Sequence, residues 1–270
     1  MADVFLFVQH GWKSIWTQKA IWPFSAVMFL GQLYDVVQGK RPTDLLSALI
    51  SLTASLFFIF LFYVGYIGVL YLAYSFLIGR PVNVQETLSA VKKFSGRVIG
   101  CSCLGLLTLL PLLFWVVVIS INSSTHRLEI SNKTILALMP LSIFAALFQF
   151  TMIGFFANDW SIRQSLDKAW SIFKNHFGVL AVLGLILAII SRLYTMTSGI
   201  FTVLIQSGFN ITAVNQLVLL NPSASLSKNL LFVLINGIGD IILFPISASI
   251  FISAYLKYSG AKLPFPMRIK

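Results

Sequence analysis

The chain has 270 residues, 58% of them hydrophobic and only 10% charged, with a mean hydropathy of +0.90 and a formal charge of +11. A soluble domain carries about a quarter charged residues, so an ordinary globular fold is excluded and a polytopic membrane protein is expected. The cations cluster in short stretches beside apolar runs and form no continuous basic face, which argues against nucleic acid as the partner and for anionic lipid headgroups.

In chain order, residues 4–16 predict an amphipathic surface helix with Val4, Val8, Trp12, Ile15 and Trp16 on one face. The N-terminus has no early Lys or Arg and no small-residue cleavage site, so no signal peptide is expected. A first span is predicted from Ala20 to about Val37, with Trp22 and Tyr34 near opposite ends and Asp35 close to the far one. After the turn Lys40-Arg41-Pro42, residues from Leu45 to Ile78 are apolar throughout and undivided by any polar turn, which predicts one long, tilted or projecting span.

Gly79-Arg80-Pro81 ends that helix, and Asn83 with Glu86 three residues later starts a second surface helix by capping-box logic. It places Val84, Leu88, Val91 and Val98 on one side and Lys92, Lys93 and Arg97 elsewhere. A third span is predicted over 98–121, a polar loop over 122–133, and a fourth span over 134–156. Ser161 with Gln164 caps a third surface helix, in which Ile162, Leu166, Ala169, Trp170, Phe173 and Phe177 oppose Arg163, Asp167, Lys168, Ser171 and Lys174. The fifth span follows from Gly178 to about Ile205, interrupted by Ser191-Arg192 and Ser198-Gly199. An apolar piece, 211–220, is too short to cross, and the sixth span is predicted from Leu230 to Tyr255.

A shift of 78 residues superposes Asn83 on Ser161, Glu86 on Gln164, Leu88 on Leu166 and Gly100 on Gly178, and a shift of 158 places Trp12 on Trp170. The expected fold is therefore all-α and integral to the membrane: one domain over 1–270 with six transmembrane helices as three repeats of a cytoplasmic amphipathic helix and two spans. The units cover about 1–78, 79–157 and 158–256, and a basic tail covers 257–270. Thirteen of the nineteen Lys and Arg fall on the side of the N-terminus and five on the other, with Arg192 inside a span. That asymmetry puts both termini and the three surface helices in the cytoplasm.

The stretches from Tyr74 through Gly79-Arg80-Pro81 to Leu88, and from Ala157 through Asn158-Asp159-Trp160-Ser161 to Trp170, resemble the glycerophosphoryl diester phosphodiesterase membrane-domain superfamily and its uncharacterised six-span bacterial relatives. In such proteins the phosphodiesterase activity belongs to a separate soluble domain. The resemblance implies a bacterial plasma-membrane location and a non-catalytic role, and carries no site residues with it.

Chemical motifs are absent from the sequence: there is no His-Glu-x-x-His, Gly-x-Ser-x-Gly or phosphate-binding glycine loop, and His10, His126 and His176 are scattered. No catalytic residue, metal or cofactor is expected. Cys101 and Cys103 read as reduced hydrophobes at a packing surface. Gly237-Ile-Gly239 reads as a place where two helices approach, and Gly96 with Gly100 as ordinary packing or a dimer contact. An intramembrane polar network is expected from Asp35, Arg192, Asn236 and Asp240, with Arg192 pairing Asp35 or Asp240. Headgroup contacts are expected from Lys92, Lys93, Arg97, Lys168 and Lys174. Two functions compete: a non-enzymatic scaffold or accessory subunit that binds anionic lipid, a protein partner or a second copy through its basic helices, and a small-solute or proton-coupled transporter with a polar site near Arg192 and Asp240.

Overall fold

A computed structural model describes residues 2–33, 44–80, 83–122, 146–207 and 230–260; within these, the side chains of Arg192 and of residues 108–122, among a few others, lie outside the description. All secondary structure among the described residues is α-helical: α1 (Ala2–Thr17), α2 (Ile21–Gln32), α3 (Leu45–Leu77), α4 (Val84–Asn122), α5 (Ala146–Asn158), α6 (Ile162–Gln206) and α7 (Leu230–Tyr258). Three segments are long and apolar enough to cross a membrane, Leu46–Leu77, Ile162–Gln206 and Leu230–Tyr258, and two shorter apolar helices accompany them, Ile21–Gly31 and Ala146–Asn158. This is the architecture of a helical membrane protein. Asp35, the turn 40–42, the loop and span residues 123–145, the apolar piece 211–220 and the tail 261–270 lie outside the described residues.

The run expected from Leu45 to Ile78 is one helix of 33 residues. Asp44 caps it: the Ser47 amide donates to Asp44 Oδ1 at 2.6 Å, and the Ser47 hydroxyl faces the Asp44 amide at 3.2 Å. Gly79, at φ +74°, ends it. Helix α2 returns antiparallel along α3, and glycines let the two backbones close up. A Cβ at Gly31 would lie 2.6 Å from the Phe62 amide nitrogen, and one at Gly65 would meet the Phe24 carbonyl oxygen at 2.5 Å. Helix α7 contacts α1, α2, α3 and α6 and so forms the centre of the bundle. Its Gly237 lies under the Phe29 ring and its Gly239 under the Tyr194 ring. The Tyr194 hydroxyl donates to the Ile235 carbonyl at 2.5 Å, so these glycines seat aromatic rings from α2 and α6.

The second surface helix and third span form one helix of 39 residues, continuous through Gly96 and Gly100. A side chain at Gly96 would meet nothing within 4 Å, and one at Gly100 would meet only Ile162 at 3.3 Å. Ser191-Arg192 and Ser198-Gly199 do not interrupt the fifth span either. The Thr195, Thr197, Ser198 and Thr202 hydroxyls each donate to the carbonyl four residues back, at 2.8–3.0 Å, so these polar groups are satisfied within the helix. The one departure in α6 is His176, at φ −128° and ψ 27°, where two helical segments join.

Candidate functional site

The ends of α3, α5 and α7 and the starts of α4 and α6 gather at one end of the bundle. Phe156 of α5 sets its ring edge-on to Phe94 of α4, with centroids 5.0 Å apart, and stands 6.0 Å from Tyr71 of α3. Phe150 reaches both Phe251 and Tyr255 of α7 at about 6 Å. Tyr258 stacks flat on His176 at 3.9 Å and takes Phe7 of α1 at its edge. Aromatic packing thus joins the elements here, and most of the cations expected to meet headgroups lie on its outside.

An acidic turn ties that end together. Helix α5 ends in the left-handed conformation at Asp159, φ +55°, whose amide bonds back to the Phe155 carbonyl. Helix α6 starts two residues later from the predicted capping box: the Ser161 amide donates to Gln164 Oε1 at 3.1 Å and the Gln164 amide to Ser161 Oγ at 3.4 Å. The Asp159 carboxylate projects toward α4 and accepts from Lys93 Nζ at 2.8 Å and from the Arg97 guanidinium at 2.5 Å, while Arg97 also donates to the Trp160 carbonyl. Hydrogen bonds from Lys93 and then Arg97 hold the Asp159 carboxyl below the ordinary carboxylate range. Asn83 caps α4 in half of the expected manner. Its side chain accepts from the Glu86 amide at 2.8 Å, but the Glu86 carboxylate turns away to Arg80 at 3.9 Å.

Of the five expected headgroup cations, then, Lys93 and Arg97 are already paired, and neither Lys92 nor Lys174 makes an ion pair among the described residues. Asp159 and Arg80 were not expected as site residues, and Glu86 was expected only as part of a helix cap. The available signal was Lys93 and Arg97 at i and i+4 on one helical face, which calls for an anion in a chain with only eight acidic residues.

The three amphipathic helices share one pattern of burial. Phe7, Thr87 and Ser165 are buried, as are Gly11, Val91 and Ala169, while Val8, Leu88 and Leu166 are exposed, as are Trp12, Lys92 and Trp170. Each therefore has two apolar sectors, one packed on the bundle and one turned outward. The stripe predicted for α1 is mostly the outward one: Val8, Trp12 and Trp16 are exposed, and Val4 is buried. In α6 the predicted stripe is split, with Ala169 and Phe173 inside and Leu166, Trp170 and Phe177 outside.

Among the intramembrane residues, the Asn236 amide donates to Asp240 at 3.4 Å across one turn of α7. Asp240 borders an apolar groove of about 350 Å³ between α1, α6 and α7, walled by Trp12, Leu187, Ile190 and Leu243. The expected pairing of Arg192 with Asp35 or Asp240 lies outside the described side chains. Among the described residues no three His, Cys, Asp or Glu gather as a metal site would require. Cys101 is buried and Cys103 exposed, both as free thiols. No protein-family model matches the chain, and neither does any curated protein or solved structure.

Proposed function

We propose that this chain is a non-enzymatic, six-span protein of a bacterial inner membrane, built from three units of one surface helix and two spans, as the superfamily resemblance implies. Both termini and the surface helices face the cytoplasm. There the helices bind anionic headgroups and offer a platform for a protein partner or a second copy. The observation that carries this reading is the outward apolar sector of α1 and of the starts of α4 and α6, lying beside Lys92, Lys168 and Lys174. Exposed Trp12, Trp16 and Trp170 would be costly in water and are at home at the headgroup level, where a basic amphipathic helix buries one face and holds its cations over anionic lipid. The shared phase of burial in the three helices supports the repeat.

Each unpaired cation near an anionic surface contributes about 1 kcal/mol, roughly a fivefold change in binding. Replacing Lys92, Lys168 and Lys174 together by Gln should therefore release most of the phosphoglycerol lipid retained by the purified protein. Replacing Lys93 and Arg97 should release less, because Asp159 already neutralises part of their charge. Equal, unchanged retention in both variants would overturn the lipid role. Reporter fusions at Gly79 and Asn158 should read as internal and a fusion at Asn122 as external, and the opposite pattern would overturn the topology.

A second reading, a small transporter, draws on the groove that reaches Asp240 and on Gly237, Gly239 and Pro245 within the same helix. Solute uptake by vesicles holding the purified protein, abolished by Asp240→Asn, would favour it over the scaffold.

A further inference from the structure

Between the end of α3 and the start of α4 lies a second cavity, of about 680 Å³, within the usual range for small-molecule sites. Its wall is aromatic, from Tyr71, Tyr74, Phe94 and Phe156, and its rim carries four charges arranged as two ion pairs. The pairs differ in closure. Lys93 and Asp159 are in contact at 2.8 Å, and Asp159 is held from the other side by Arg97. Arg80 and Glu86 stand 3.9 Å apart, with about half of each side chain or more open to the outside. At that separation the guanidinium and carboxylate leave most of their hydrogen-bonding capacity unused by each other.

The signs of the rim select among ligands. A purely anionic group arriving at Arg80 meets the Glu86 carboxylate beside it, and a purely cationic one arriving at Glu86 meets Arg80. A group carrying both charges satisfies both: a phosphate can take the planar guanidinium of Arg80 in a bidentate contact and an ammonium the Glu86 carboxylate, in a cavity that Tyr71 and Tyr74 also line. The side chains of Asn83, Gln85 and Ser89 line the same cavity and supply neutral hydrogen-bonding groups for ester or hydroxyl oxygens.

We propose that this cavity binds a zwitterionic headgroup containing a phosphate and an amine. The chemistry is shared by a zwitterionic membrane phospholipid and by a free phosphoamine in solution, and the lipid is the source that reaches the cavity if, as proposed above, this end of the bundle sits at headgroup level. The cavity then has the opposite preference to the convex basic helices around it, selecting a neutral headgroup where they collect anionic ones.

The test uses full-length protein in nanodiscs made of equal parts phosphoethanolamine lipid and phosphoglycerol lipid, with bound lipid counted by native mass spectrometry. Calorimetry with O-phosphoethanolamine forms a second arm. Wild type should retain the phosphoethanolamine lipid preferentially. Glu86→Gln should lower that preference about tenfold, the value of one charge-assisted hydrogen bond, and Arg80→Gln should lose both lipids from the site. Exchanging the pair, Arg80→Glu with Glu86→Arg, keeps both charges and should recover part of the preference, which separates loss of the site from loss of the fold. Saturable binding of O-phosphoethanolamine without lipid preference would support the headgroup chemistry with a soluble source. Unchanged lipid preference in Glu86→Gln and Arg80→Gln, with no O-phosphoethanolamine binding to wild type, would overturn the site. Failure of the basic-helix reading looks different: phosphoglycerol lipid is retained unchanged when Lys92, Lys168 and Lys174 are replaced, whatever the cavity does.

Discussion

Phe156→Ala tests whether aromatic packing at the charged end joins α3, α4 and α5. The ring is 8% exposed and makes two edge-on contacts, at 5.0 Å to Phe94 and 6.0 Å to Tyr71. Removing a buried Phe costs about 3–5 kcal/mol in water-soluble cores. Lipid tails are as apolar as the ring, so burial from water contributes less here and the lower end, about 3 kcal/mol, is expected. Each aromatic pair is worth about 0.5–1.5 kcal/mol, so Phe156→Leu, which keeps bulk and loses the ring geometry of two pairs, should lose about 1–3 kcal/mol. A loss of about 3 kcal/mol shifts the unfolding equilibrium roughly a hundredfold. Reversible unfolding in mixed micelles, followed by fluorescence of the six tryptophans, measures it. Leu56→Ala, on the outward face of α3, is the control and should cost little. If Phe156→Ala cost no more than Leu56→Ala, or if Phe156→Leu cost nothing, the aromatic contacts would not be what holds these helices together.

Gly239→Ala should destabilise by about 1–3 kcal/mol in the same unfolding assay, because the added methyl displaces the Tyr194 ring and its hydrogen bond to Ile235, whereas Gly96→Ala should be neutral or stabilising by up to about 1 kcal/mol; equal effects would refute the seating of Tyr194. The Asp159 carboxyl sits below the ordinary carboxylate range, so its links to Lys93 and Arg97 stabilise the fold above the unfolded value of about 3.9 and are lost as pH falls through the lower folded value. Wild type and Asp159→Asn should accordingly differ in thermal midpoint at neutral pH and draw together in acid or at high salt; a gap that does not narrow at all as pH falls below about 3.9 would contradict the linkage.

Local features of the fold were legible because they are written in neighbouring residues. The unbroken apolar run after Leu45 is one helix, and Ser161 with Gln164 forms the capping box that its spacing announces. The glycines at 237 and 239 do mark a close approach, although what approaches is a pair of rings. The junction expected between Phe177 and Gly178 falls two residues from the joint at His176, whereas Val84–Asn122 runs on as one helix because helix propagation is locally favourable. The site was harder to read. Asp159 meets Lys93 across 66 positions of sequence, and the cavity exists only where three helix ends converge. Amphipathicity alone also merged two apolar sectors that the bundle separates, so Ala169 and Trp170 read as one face although the first is buried and the second stands outside.

The contrast between α4 and α6 has a mechanical consequence. Helix α6 has a joint at His176, clamped by the stacked Tyr258, so the segments before and after it can point in different directions. Helix α4 has none from Val84 to Leu110: at 1.5 Å per residue these residues make an arm of roughly 40 Å, longer than the hydrocarbon is thick, before Pro111 removes one backbone hydrogen bond. An arm of that length acts as a lever. On the proposed placement of the surface helices at the headgroups, a change in bilayer thickness that tilts α4 swings Lys93 and Arg97 with it, while Asp159 stays with the short turn between α5 and α6.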